Sequence, residues 1–180
     1  MSKVCVLCVV TDGVEEIELV APVDLLRRAD VEVVLVSMNG KLTVTGSHGL
    51  VIQADIQVEQ IDADGFDALL LPGGPGVAAL RKDGRAAEMV RTFAGGGKLV
   101  GAICAAPLVL HDAGILDGKR HTAHQTARQE LTAAMDDRVV VDGNLVTSRG
   151  AGTAVDFGLR LVEELVGSGE AARISAAIMA

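Results

Sequence analysis

The sequence predicts a flavodoxin-like α/β domain: a doubly wound, mostly parallel sheet with helices on both faces and an added β-hairpin. Three observations carry that expectation. Short apolar, β-branched runs alternate with segments of helical periodicity along the chain. Hydrophobic residues make up 49% of the 180 positions and aromatics only 2%, with no Trp and no Tyr, so the core is aliphatic, which suits a sheet buried on both faces. Asp142-Gly143-Asn144 sits between two β-branched runs and is a hairpin signal. The length fits one domain over residues 1–180, with no linker, repeat or low-complexity stretch.

Residues 3–10 form the first strand; no A-x-A-like cleavage site follows this apolar run, so it is not read as a signal peptide. Residues 15–29 form a helix, with acids first and Arg27-Arg28 last, matching the helix dipole. Residues 31–38 form the second strand, and 41–58 hold short strands punctuated by Gly40, Gly46 and Gly49. A buried strand over 67–71 stops at Pro72-Gly73-Gly74, and a helix follows within 76–95. Residues 98–103 form another buried strand, with a helix starting directly at Cys104. A short strand over 119–123, a helix over 125–135, the hairpin, a helix over 153–166 and a terminal helix from 170 complete the series. Ligands of such sheets sit beyond the carboxyl ends of the strands, where the strand ends at 11, 72 and 103 converge.

Composition excludes several roles. The formal charge is −8, from 16 basic and 24 acidic residues, with no basic cluster or aromatic platform, so no nucleic-acid partner is expected. No apolar run reaches membrane-spanning length. Three cysteines without framework spacing suit a reducing cytoplasm. Cys5 and Cys8 form a C-x-x-C, but an extended strand points them to opposite faces, so both read as core residues. No zinc spacing, G-x-G-x-x-G fingerprint or P-loop is present, so neither metal nor nucleotide cofactor is expected.

The strongest chemical signal is Gly101-Ala102-Ile103-Cys104-Ala105-Ala106-Pro107: small-x-Cys-x-small between a strand and a helix, the cysteine form of a nucleophile elbow. A helix N-terminus favours the thiolate, and neighbouring N–H groups can hold an oxyanion. A buried, inert cysteine would share this spacing. Pro72-Gly73-Gly74 permits close backbone approach to a ligand, although an ordinary turn reads the same way. Three acids open the first helix and are most simply solvated complements of its dipole. Glu18, however, shares a helical stripe with Val14 and Leu25, which points it at the sheet, where a protonated carboxyl beside Cys104 would lower the thiol pKa. His124 closes the short strand at its carboxyl end and reads as a general acid or base, whereas His121 faces away.

Together these residues resemble the ThiJ/PfpI superfamily, and look most similar to the branch of parkinsonism-associated protein deglycase and bacterial ThiJ/YajL. The matching pieces span the chain: Glu15-Glu16-Ile17-Glu18 with Pro22-Val23-Asp24, Leu71-Pro72-Gly73-Gly74, Ala102 to Pro107, and Thr147-Ser148-Arg149-Gly150-Ala151-Gly152-Thr153 before Asp156-Phe157-Gly158. The resemblance implies a homodimer. It implies Cys104 as nucleophile and oxidation-sensitive thiol, Glu18 as the protonated acid beside it, His124 as the nearby histidine, and Gly73, Gly74 and Ala105 lining an anion pocket. Two departures matter. The protease-type histidine after the cysteine is replaced by Ala105, and the branch's usual arginine reaching across the dimer is replaced by His48. Leu116 to Arg120 and Pro75-Gly76-Val77 also look similar to the isonitrile hydratase branch, but Glu18 stands where that branch has an aspartate.

The function expected is a cofactor-independent glyoxalase or deglycase acting on 2-oxoaldehydes such as methylglyoxal, or on their protein adducts, through Cys104. The alternatives are an oxidation-sensing, chaperone-like dimer using the same thiol, and an isonitrile hydratase or amidase.

Overall fold

A computed structural model describes residues 3–61 and 65–180; Met1 and Ser2, which open the N-terminal run, lie outside the described residues. Nine strands are described: β1 (Cys5–Val10), β2 (Glu32–Ser37), β3 (Thr43–Thr45), β4 (Val51–Gln53), β5 (Ile56–Gln57), β6 (Ala68–Leu71), β7 (Leu99–Ile103), β8 (Val139–Asp142) and β9 (Leu145–Ser148). Six α-helices accompany them: α1 (Glu16–Arg28), α2 (Val77–Asp83), α3 (Arg85–Gly95), α4 (Pro107–Asp112), α5 (Ala154–Val166) and α6 (Ser168–Ile178). Seven strands form one sheet in the order β5-β2-β1-β6-β7-β9-β8, parallel except for β8, which returns antiparallel on β9 through the expected hairpin. β3 and β4 pair antiparallel outside that sheet.

The alternation of β1 shows why the sheet is covered twice. Leu7 and Val9 enter a core with Leu69, Leu71 and Val100 beneath α2, α3 and α4. Val6, Cys8 and Val10 enter the opposite core with Leu70, Ile103 and Val146 beneath α1, α5 and α6. Cys8 is fully buried, which pushes its thiol pKa up, and Cys5 and Cys8 are both free thiols. α1 and α5 approach closely: a Cβ on Gly158 would lie 2.9 Å from Pro22 Cα. Among the described residues no helix is long and apolar enough to cross a membrane.

Four sequence expectations need correction. The helix within 76–95 is two helices, broken at Gly84, whose φ of +84° only glycine adopts without strain. The helix expected at Cys104 starts at Pro107, because Cys104 has φ +66° and proline suits the first helical position. The strand over 119–123 is only an isolated bridge between Thr122 and Met135, and the helix over 125–135 reduces to one 3-10 turn, Ala127–Gln129. Side chains have taken over the backbone groups there. Thr147 Oγ1 accepts from the Thr122 N–H at 3.0 Å, and Arg128 donates to the carbonyls of Ala123 at 3.0 Å and Met135 at 2.8 Å.

The strand order reverses between β1 and β6: β2 lies on one side of β1, while β6 and β7 extend on the other. That reversal opens a crevice at the carboxyl ends of β1, β6 and β7.

Candidate active site

Cys104 stands where β7 gives way to the turn before α4. Its positive φ is costly for a residue with a Cβ, and two backbone bonds hold it there: its N–H donates to Ser148 O at 2.9 Å, and its carbonyl accepts from the His124 N–H at 2.8 Å. The turn leaves the sulfur at the floor of a cleft of about 420 Å³, whose walls include Glu15, Glu18, Gly74, Ala105 and His124. The N–H groups of Gly74 and Ala105 favour the thiolate, and among the described residues neither donates to a backbone carbonyl.

Glu18 reaches the sulfur from α1. Its side chain is 1% exposed, as its apolar stripe predicts. Burial pushes its carboxyl up to about 7, while the thiol of Cys104 and the N–H groups of Gly73 and Ala151 pull the other way. Its Oε2 has no hydrogen bond of full geometry. The backbone is pressed close here: a Cβ on Gly73 would lie 2.4 Å from Glu18 Oε2 and 2.6 Å from Cys104 Cβ. Gly73 therefore packs against both side chains and turns its N–H to the carboxyl, while the N–H groups of Gly74 and Ala105 face the sulfur.

The thiol shows a second departure from expectation. Burial and the Glu18 charge push Cys104 up to about 12. The six-residue α4 begins three positions later, so no helix dipole starts at the sulfur. Glu18 is therefore the stronger acid of the two: its carboxyl lies at about 7, and its charge helps to hold the proton on Cys104.

The His124 ring lines the cleft, with Nδ1 bonded to Thr126 Oγ1 at 2.9 Å; among the described residues no hydrogen bond joins the ring to the sulfur. Gly150, which follows β9, was not singled out as a site residue by spacing. A Cβ there would lie 3.4 Å from His124 Cδ2, 3.6 Å from Glu18 Oε1 and 4.0 Å from Cys104 Sγ. Glu15 and Ala151 also line the cleft. A glycine two residues after a strand was the available signal, but its meaning depends on β9 lying beside β7.

His48 lies outside the cleft and is exposed. Its Nδ1 sits 3.1 Å from Glu16 Oε2 and 3.3 Å from Glu15 Oε2. Hydrogen bonding to Glu16, with the charges of both acids, raises the His48 pKa. Glu15, Glu16 and His48 bring three ligand-type atoms within 4.8 Å of one another, but Glu16 Oε1 already accepts from the N–H groups of His48 and Leu50. Glu16 itself is buried, not solvated as a dipole complement would be.

The profile of the DJ-1/PfpI family matches residues 2–164. The chain is 40% identical over 172 residues to protein dj-1beta of Drosophila melanogaster, covering 93% of this chain and 91% of that protein. The crystal structure of Drosophila DJ-1beta superposes with a TM-score of 0.94 at 36% identity, covering 99% of this chain and 98% of that one. A protein of Thermococcus kodakarensis named deglycase TK1284 is 37% identical over 152 residues, covering 82% of this chain and 90% of its own length. A Caenorhabditis elegans protein named glutathione-independent glyoxalase DJR-1.2 is 34% identical over 160 residues, covering 87% and 85%.

Proposed function

The chain belongs to the DJ-1/PfpI family, and from that premise we propose that it is a cofactor-independent enzyme of the glyoxalase or deglycase type, acting on 2-oxoaldehydes or their protein adducts through Cys104. The observation that carries this reading is a thiol at a strained turn that faces a buried carboxyl with a pKa of about 7, beside the N–H groups of Gly74 and Ala105 in an open cleft. Two relatives named deglycase and glyoxalase support the substrate class.

The steps follow from the geometry. As the Cys104 sulfur attacks the aldehyde carbon, the Glu18 carboxylate takes the thiol proton, and the new oxyanion sits under the Gly74 and Ala105 N–H groups. Glu18 protonates that oxygen, giving a hemithioacetal. As carboxylate it then takes the hydrogen on C1 and returns a proton to C2, with His124 placed to assist. Water hydrolyses the resulting thioester, releasing a 2-hydroxy acid and the thiol. The hydrogen shift is internal, so no oxidant or cofactor is consumed.

We extend the proposal to a homodimer in a reducing cytoplasm. Ile17 and Val20 on α1, with Leu50 and Val51 at the start of β4, are large apolar side chains left exposed, and a second copy would cover them. Cys104→Ser should reduce lactate formation from methylglyoxal by at least about 10³-fold, since the nucleophile is lost. Near-normal lactate formation by this variant would overturn the enzyme reading.

A further inference from the structure

A second cavity, of about 230 Å³, opens beside the cleft and shares the His124 ring with it. Its walls include Arg128, Asp136 and Arg149. The setting is unusual for this chain, which carries a net charge of −8 and lines the Cys104 cleft with the carboxyls of Glu15 and Glu18. Here two guanidinium groups face one carboxylate.

The hydrogen bonds separate the roles of the two arginines. Arg128 is committed through all three nitrogens: Nε to Ala123 O at 3.0 Å, Nη1 to Asp136 Oδ1 at 3.0 Å and Nη2 to Met135 O at 2.8 Å. It holds the wall. Among the described residues Arg149 donates only through Nη1, to Asp136 O at 3.2 Å, with Asp136 Oδ1 at 3.5 Å. No described residue accepts from its Nε and Nη2 edge, and that edge has the planar fork that pairs with a carboxylate. The Asp136 side chain is 85% exposed, so it sits at the rim in competition with water. His124 adds a ring whose Nδ1 is engaged by Thr126, with Oγ1 at 2.9 Å and the backbone N–H at 3.4 Å. The chain links this cavity to the reacting atom directly: Arg149 precedes Gly150, where a Cβ would lie 4.0 Å from Cys104 Sγ.

We propose that this cavity is a carboxylate subsite, with the Arg149 fork as the specificity-determining group, and that the preferred substrate is a 2-oxoaldehyde with a carboxylate a few carbons beyond its ketone. The subsite rests on the glyoxalase reading of Cys104. The reaction keeps the same balance: 4,5-dioxopentanoate plus water gives 2-hydroxyglutarate, with the aldehyde hydrogen moved to the ketone carbon and the original carboxylate unchanged.

The test compares kcat/KM for 4,5-dioxopentanoate with that for its methyl ester, which has the same carbonyls and no charge. The wild type should prefer the acid by about tenfold or more, the scale of one charge-assisted contact. Arg149→Gln should lower that ratio about tenfold, and Asp136→Asn, which removes the competing carboxylate, should raise it. A wild-type ratio near one, or a ratio that Arg149→Gln leaves unchanged, overturns the subsite. Protection of Cys104 from iodoacetamide by glutarate gives a readout without turnover: Arg149→Gln should need about tenfold more glutarate. Protection by glutarate without methylglyoxal turnover would leave the subsite standing and remove the glyoxalase reading. Methylglyoxal turnover with no protection would remove the subsite alone.

Discussion

Glu16 and Glu18 lie two residues apart in the first turn of α1, both nearly buried, at 6% and 1% exposure, yet the protein treats them oppositely. On the side of Glu16, residues 47–50 cross the helix. Burial there works against the charge, but N–H groups of Glu16 itself, His48 and Leu50, with the His48 ring, outweigh it and hold the carboxyl at about 2. On the side of Glu18 lie Gly73, Cys104 and Gly150, which offer a thiol, weak N–H contacts and an oxygen without a full hydrogen bond, and the carboxyl rises to about 7. Burial alone does not decide whether an acid is charged; the donors the fold delivers to it do. One acid is tied down as an anion that holds a loop, and its neighbour is kept near neutrality beside a nucleophile.

The largest expected effect breaks the costly half of this comparison. Glu18 ionises near 4.5 when unfolded and near 7 when folded, so between those values the folded state binds more protons. Stability therefore falls as pH rises through that window, by up to about 3 kcal/mol. Glu18→Gln keeps the shape and removes the charge. Urea unfolding should find it more stable than wild type at pH 8 by up to about 3 kcal/mol, with the difference vanishing near pH 4.5. Equal stability across that range would show that the buried carboxylate is fully compensated, and the contrast with Glu16 would collapse.

A smaller effect sharpens the assignment of the shared proton. Glu18 ionises at about 7 and its charge pushes the Cys104 thiol up, so the proton stays on the sulfur. Glu18→Ala removes that charge, so the midpoint for alkylation by iodoacetamide should move down and alkylation at pH 8 should quicken, although burial still holds the thiol up. A midpoint that moves up would mean that Glu18 holds the proton and leaves Cys104 as the thiolate, and the proton transfer assigned to the attack step would be wrong.

The strands and the inward turn of Glu18 were legible because both leave a local mark: a continuous apolar, β-branched run for β1, and a 3.6-residue stripe joining Val14, Glu18 and Leu25. The burial of Glu16 was not legible, because the segment that covers it lies about thirty positions away and no helical period encodes it. The turn at Cys104 was read as the start of a helix, since φ +66° leaves no mark on an apolar run; Pro107 was the available signal. Residues 119–136 misled for the opposite reason. Their strand and helix patterns are weak, and Thr147 and Arg128 satisfy their backbone from outside. The placement of Gly150 and Arg149 depends on β9 lying beside β7, which the chain order does not reveal.

The smallest expected effect probes the anionic half. Glu16→Gln keeps one carbonyl oxygen for the N–H groups of His48 and Leu50, but loses the charge that strengthens those bonds and the attraction to the His48 ring, 3.1 Å away. The melting temperature at pH 7 should fall by about 2–4 °C, the scale of one charge-assisted bond in a chain of this size. The sign with pH is the reverse of that for Glu18. The folded pKa of Glu16 is depressed, so its contribution is present above 4.5 and is lost as pH falls toward about 2; the gap between variant and wild type should narrow over that range. A melting temperature unchanged at pH 7 would mean that residues 47–50 hold their place without this anion. The two glutamates would then differ only in what Glu18 faces, not in what Glu16 receives.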